Sequence, residues 1–504
     1  MSTENTKNKN LSSIRKGSAL AYALVIMTVV MILLTSIIGY IVAQLKFSAN
    51  RIEREKAFQV AEAGVYYYRW YLAHATDSMN AQQLKVFWQD DSTLGVSGDY
   101  IEDYKDPETG EVIGNYTIHL DPPDSYSTIA SITSTGKSLK LSDSERVIRV
   151  RFRRPSWSEY MWVIDGFVNF GSDSEVYGKV HSNFGILFNG LAHNIVSSTP
   201  ARFNDPTHGG SSLDFGVHTE VNPADPAAPA YPWPENTVPN RPDIFEAGRQ
   251  FPVPEVSFNG VLTDLENMKT EAQSPNGTTI NDCTDTGCFF DYESPDDGKR
   301  VILKSNGTFD ICTVASYHHA AYHPTSYRKN SGSGTCDSCG GNDCTSAYAI
   351  PNNGIIFIEG NVWVDGAVNN NRITIAAADL SGTITADIFI GLNNIRYANY
   401  DCNNMIGLVA QRNISVIRDC PENFIVDAAL LAQSGRVSRA SYAFDNKSTL
   451  TFNGAIASYL QPYFNHGING FGVRTYNFDN NLLYCPPPYF PTGTEYSIDL
   501  WEEL

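Results

Sequence analysis

The side chains best suited to chemistry lie in the second half of the chain. Cys336, Cys339 and Cys344 follow closely on His318, His319 and His323, and thiolates with imidazoles are the donors from which tetrahedral zinc centres are built. Their spacing, C-x2-C-x4-C, is not that of a recurrent finger or ribbon. All nine cysteines fall beyond residue 282: Cys283, Cys288, Cys312, Cys336, Cys339, Cys344, Cys402, Cys420 and Cys485. In an oxidising compartment the same residues are disulfide candidates. An odd number leaves one thiol over, and sequence does not fix how the others pair.

A second set has the acid and base types that cleave glycosidic bonds: Asp365, Asp387, Arg396, Asp401 and Arg412. They share no motif, and aspartates are common in turns for structural reasons. The chain contains no G-x-S-x-G, no H-E-x-x-H, no phosphate loop and no EF-hand loop. A net charge of −19 argues against nucleic acid, which requires clustered Lys and Arg. No catalytic residue, cofactor or metal is therefore assigned. The 27 Tyr and 7 Trp suffice for a carbohydrate- or surface-binding patch, although core packing accounts for most of them.

The element that must position everything else runs from Ser18 to about His74. Ser18 to Leu45 carries no charged residue and exceeds the ~20 apolar residues that a bilayer-spanning helix needs. Beyond it Phe58, Ala61, Val65, Tyr68 and Leu72 recur at helical spacing with no intervening Pro, predicting one continuous helix that turns from apolar all round to apolar on one stripe. Lys7, Lys9, Arg15 and Lys16 precede it against a single Glu4. That bias keeps the N-terminus cytoplasmic in a single-pass topology and sends the head outside the cell. Export in turn favours disulfides over zinc for the cysteine cluster.

At these residues the chain resembles a known family. Lys16-Gly17-Ser18 before the apolar run, then Arg51-Ile-Glu-Arg-Glu-Lys-Ala-Phe-Gln-Val-Ala-Glu-Ala-Gly64, is similar to the N-terminus of type IV minor pilins of the PilX kind, with Phe58 to Gly64 matching its F-Q-x-A-E-A-G signature. The resemblance implies cleavage by a prepilin peptidase after Gly17, with the accompanying methylation, leaving Ser18 as the mature N-terminus. Major pilins carry a glutamate at the fifth mature position that pairs with the neighbouring subunit's amine. Here that position is Tyr22, as suits a subunit at the tip with nothing above it. Tyr22, Phe58, Glu62 and Gly64 are then the residues of filament and helix packing; for Glu62 a solvated helix-face charge is an equal alternative.

The rest of the chain reads as α+β, mainly β. Residues 1–17 form the leader and 18–75 the helix. Residues 76–155 hold a helical stretch at Ala81–Trp88 and β runs at Gly114–Leu120, Ser127–Thr135 and Arg146–Phe152, enough for a small antiparallel sheet on the helix stripe. Residues 156–196 and 351–484 consist of short apolar segments turning on Gly, Asn and Asp. That texture predicts a parallel β-helix-like (solenoid) head, with a β-sandwich as the alternative. Between them, 197–350 is a Pro-rich and Cys-rich insertion unlike the coils, with a helix at Val261–Ala272 and a hairpin over Asn306-Gly307. Residues 485–504 are a C-terminal tail. Cys283 with Cys288 would close a local loop, and Cys402 with Cys420, one coil apart, would bridge neighbouring coils.

The function this implies is a minor pilin-like subunit. Its helix is held first in the membrane and then in the filament core among other pilin subunits and the assembly machinery, and its large β head serves pilus assembly or cell adhesion. The alternative is a membrane-anchored β-helix enzyme acting on surface polysaccharide.

Overall fold

The computed structural model describes residues 13–504 apart from 77–78, 80, 124–128, 155, 209–212, 257, 259–260, 274–280, 292–295, 331–332, 383–384, 468 and 493–495. Residues 1–12 of the expected leader lie outside the described residues. One helix, α1 (Ser13–Ala75), runs through the whole predicted stretch without a break. A short helix, α2 (Ala81–Phe87), follows.

Four antiparallel strands come next: β1 (Tyr100–Lys105), β2 (Val112–Asp121), β3 (Ile129–Ser138) and β4 (Leu141–Arg153). β2 from Ile113, β3, and β4 from Val147 alternate in burial, so one face is apolar or small. Tyr116, Ile118 and Leu120 from β2, Ala130 and Ile132 from β3, and Ile148, Val150 and Phe152 from β4 are all buried against α1. The sheet has a fifth strand from the far end of the chain. Ser497–Glu503 pairs antiparallel with β4, Trp501 opposite Val150. The residues expected to form a tail thus close the same sheet, and everything from 154 to 496 is inserted between two neighbouring strands.

That inserted body is built from parallel, in-register ladders. In one ladder Gly287–Phe290 pairs with Ile355–Ile358, then Arg372–Ala377, Met405–Ala410, and the later halves of Asn423–Ala432 and Asn446–Ser458. The next rung is Trp162–Ile164, with Ile456 opposite Trp162, and the ladder continues through Val180–Ser182 and Val196–Ser198 to Arg249–Gln250. A second ladder joins Gly298–Lys304, Asn361–Val368, Ile388–Tyr397, Ile414–Val416 and Val437–Arg439. Order along the stack therefore differs from order along the chain. The polypeptide enters in the middle at Trp162, climbs to one end, crosses to the other and coils back to the level at which it entered.

The 197–350 segment makes that crossing and supplies both ends of the stack. Although its composition set it apart from the coils, Arg249–Gln250, Gly287–Phe290 and Gly298–Lys304 are parallel rungs like the others. Helix α3 (Val261–Ala272) packs beside the rungs at Gly287–Phe290 and Ile355–Ile358, burying Leu265, Met268 and Ala272. The interior is filled by β-branched and aromatic side chains that stack between rungs, such as Phe289 on Phe357, Trp363 on Phe389 and Phe424 on Phe471.

On α3, burial pushes the carboxyl of Asp264 up to about 6, against the pull of the Arg154 charge. The fold thus prefers the protonated acid. Its stabilising contribution is complete below the ordinary carboxylate pKa and is lost as pH rises through about 6. Asp264→Asn is expected to raise stability by about 1–2 kcal/mol at pH 7.5 and to change it little at pH 4. Urea unfolding at the two pH values measures this; an equal effect at both would contradict it.

Candidate functional site: the N-terminal helix and the sheet that clasps it

From Leu20 to Leu45 α1 presents large apolar side chains on every side, and none of its most apolar window is buried in the chain's own fold. This is the one candidate span among the described residues whose length and composition suffice to cross a membrane. Its Thr28, Thr35 and Ser36 hydroxyls are satisfied within the helix. Thr28 donates to the carbonyl of Val25, Thr35 to those of Met31 and Ile32, and Ser36 to that of Ile32, at 2.8–3.0 Å. Such back-bonding leaves none of these three hydroxyls in need of water, the condition imposed by a hydrocarbon surrounding. Tyr22 and Tyr40 stand at the two ends of the stretch, both 70% exposed and separated by roughly 27 Å of helix rise.

The second half of α1 is clasped by the sheet. The fully buried stripe is Ala57, Val60, Ala61, Val65, Tyr68 and Leu72. Two glycines in this region let helix and sheet approach closely. A Cβ on Gly136 of β3 would lie 2.1 Å from the carbonyl oxygen of Ala57 and 2.3 Å from the amide of Ala61; one on Gly64 would strike Ser134 and the Tyr116 ring. Ser134 Oγ donates to the Ala61 carbonyl at 2.8 Å. Glu53 accepts from Ser138 Oγ and from Lys56 Nζ, and these hydrogen bonds, that of Ser138 first, hold its carboxyl below the usual range. Tyr68 donates to the carbonyl of Leu94 at 2.9 Å, and Tyr67 stacks on Tyr100.

Of the residues singled out in the sequence, Gly17 and Ser18 lie near the start of α1 and Tyr22 on its exposed part. Phe58 is half-buried at the rim of the clasp, beside the fully buried Ala57 rather than on the central line. Glu62 is half-buried, and Gly64 lies in the contact itself. Sequence reasoning missed Glu53, Gly136 and Ser138. The spacing of Ala57, Ala61 and Gly64, small residues four and three apart on one face, was the available signal for a close backbone approach.

The cysteines pair as Cys283–Cys288, Cys312–Cys339, Cys336–Cys344 and Cys402–Cys485. The thiols once available for zinc beside His318, His319 and His323 are consumed as disulfides. The expected bridge from Cys402 to Cys420 is not made. Cys420 points into the stack interior beneath Gly391 and is the free cysteine. Cys402 sits on an outward turn, where the segment leading back to the sheet crosses the coils and is held by Arg372, whose guanidinium donates to the carbonyls of Cys402 and Pro486. The acid and base candidates are likewise committed. Asp365 pairs with Arg300, Asp387 with Arg412, and Arg396 with Asp427, while Asp401 caps its own turn at Asn403 and Asn404. Each of these ion pairs ties neighbouring rungs of the stack.

This arrangement, a helix bare and apolar in one half and clasped by an antiparallel sheet in the other, coincides with a family match. Residues 16–65 match the PilX N-terminal family, and in that segment the chain is type IV pilin-like. Among solved structures it is similar to the competence-associated pilin ComZ from Thermus thermophilus, at 12% identity over 90% of this chain and 97% of that one, with a TM-score of 0.23. Likeness that faint carries no argument about the head. No curated protein matches the sequence.

Two expectations follow. Gly136→Val should lower stability by about 1–3 kcal/mol through overpacking against the Ala57 and Ala61 backbone, whereas Gly98→Val, in open space, should leave the urea midpoint in place. Cys402→Ala and Cys485→Ala should each cost about 2–5 kcal/mol and the double variant no more than either. Thiol titration of the unfolded, unreduced chain should find a single reactive group.

Proposed function

We propose that the protein is a minor type IV pilin whose α1 is held in the membrane before assembly and in the filament core afterwards, with the coil stack displayed outside the cell. The observation that carries this reading is the bare apolar half of α1. Among the described residues a surface of that size has no partner, and both lipid and a bundle of neighbouring pilin helices would cover it. The tyrosines at its two ends stand about one hydrocarbon thickness apart, as interfacial aromatics do. Four disulfides agree with an oxidising compartment.

On this reading a prepilin peptidase removes residues 1–17, and Tyr22 takes the place of the carboxylate by which a subunit grips the amine of its neighbour. A subunit so built accepts partners on one side only and belongs at the tip, where the stack would serve assembly or adhesion. On this reading the head acts by binding; of the acids and bases singled out in its coils, Asp365, Asp387, Arg396 and Arg412 are tied in ion pairs between rungs.

Intact mass of the protein from membranes of cells with and without the prepilin peptidase tests the assignment. Loss of residues 1–17 only when the peptidase is present is the expected result. An unchanged N-terminus in both strains would overturn it.

A further inference from the structure

At the end of the stack reached first by the chain, a hairpin folds over the last coil. Its strands, Arg202–Phe203 and Asp214–Phe215, pair antiparallel, and Val217–His218 then joins the coil beside Ile186–Leu187. This brings Asp205, His208 and His218 together, with one candidate donor atom from each within 4.8 Å of the others.

Two of the three are buried with donor atoms left over. The Asp205 side chain has no exposure and that of His218 has 3%. Asp205 Oδ1 accepts from the amide and the hydroxyl of Thr207 at 2.7 and 2.6 Å, which turns Oδ2 toward His218 Nε2, 3.0 Å away. That approach is not aligned as a hydrogen bond. Asp205 Oδ2 and both ring nitrogens of His218 have no hydrogen-bond partner, a costly state for buried polar atoms.

His208 stands on the open side. Its Nδ1 lies 3.0 Å from Asp214 Oδ2 and its Nε2 2.5 Å from Glu220 Oε1. Both ring nitrogens thus face carboxylates; on taking a metal, one would leave its carboxylate to ligate while the other keeps donating to its own, the usual support of a metal-bound imidazole.

We infer that Asp205, His208 and His218 form a binding site for one divalent metal ion of the zinc class. Two imidazoles and a carboxylate select transition metals over calcium and magnesium, which take oxygen ligands. The ion would satisfy the buried lone pairs and pin the hairpin to the terminal coil, with the exposed side of His208 leaving room for a water as fourth ligand. The inference does not depend on the pilin reading.

The test uses the full chain in detergent, stripped with chelator and dialysed against zinc. One equivalent should remain bound in the presence of excess magnesium and calcium. Cobalt in its place should give the visible bands of a tetrahedral nitrogen–oxygen site. His208→Gln, on the solvent side and checked for folding by circular dichroism, should weaken zinc binding at least ~10-fold and abolish the cobalt bands. His193→Gln, which alters another imidazole held between Glu175 and Glu246, should do neither. No retained zinc, zinc displaced by magnesium or calcium, or binding indifferent to His208→Gln would each overturn the site and leave the cluster an ion-paired hairpin anchor.

Discussion

The close contact between α1 and β3 is the constraint on which the rest depends. A helix that is apolar all round for half its length has no preferred side by which to hold a soluble body. The grip must come from the other half, and it comes from backbone proximity. Gly136 admits the carbonyl of Ala57, Ser134 bonds the carbonyl of Ala61, and Glu53 reaches Ser138 at the edge. Larger side chains at these points would hold helix and sheet apart. The rows of Ile, Val, Tyr and Phe on β2 and β4 would then lose the surface against which they are buried.

Beyond the clasp the structure relies on repetition. Each rung of the stack satisfies its main-chain groups with the rungs on either side, so regularity of the interior matters more than any single residue. Where a turn brings acid or base groups to the flank, they are tied between rungs, as in Arg300 with Asp365 and Arg396 with Asp427. Asp427 also accepts from Tyr400 and Asn453, and Asn453 in turn accepts from Asn477. These side-chain ladders run along the stack as the backbone ladders do.

What could be read from the sequence was local. The continuity of α1, the alternation in β4, the helix at Val261–Ala272 and the hairpin over Asn306-Gly307 each follow from periodicity or turn chemistry within a few residues. Pairing between distant segments was hidden. Nothing in Ser497–Glu503 announces β4 as its neighbour, nothing in Ile456 announces Trp162, and Cys402 finds Cys485 because of where the returning segment crosses the coils. The clasp was half legible. Phe58 to Gly64 marked its place, but the register that buries Ala57 and Val60 and leaves Phe58 at the rim depends on which residues of β3 arrive opposite. The Asp205, His208 and His218 cluster was invisible for the same reason, since its ligands meet only once the hairpin has folded over the coil.

The chain enters and leaves the coil stack at one level, between two strands that are hydrogen-bonded neighbours in the sheet. Tension applied to α1 therefore passes into β2, β3 and β4, and the coils hang beside that load path rather than in series with it. Drawing on the helix would strain the clasp long before it unwound a rung. The number of rungs in the stack and the make-up of its flanks accordingly have no bearing on how such a load would be carried.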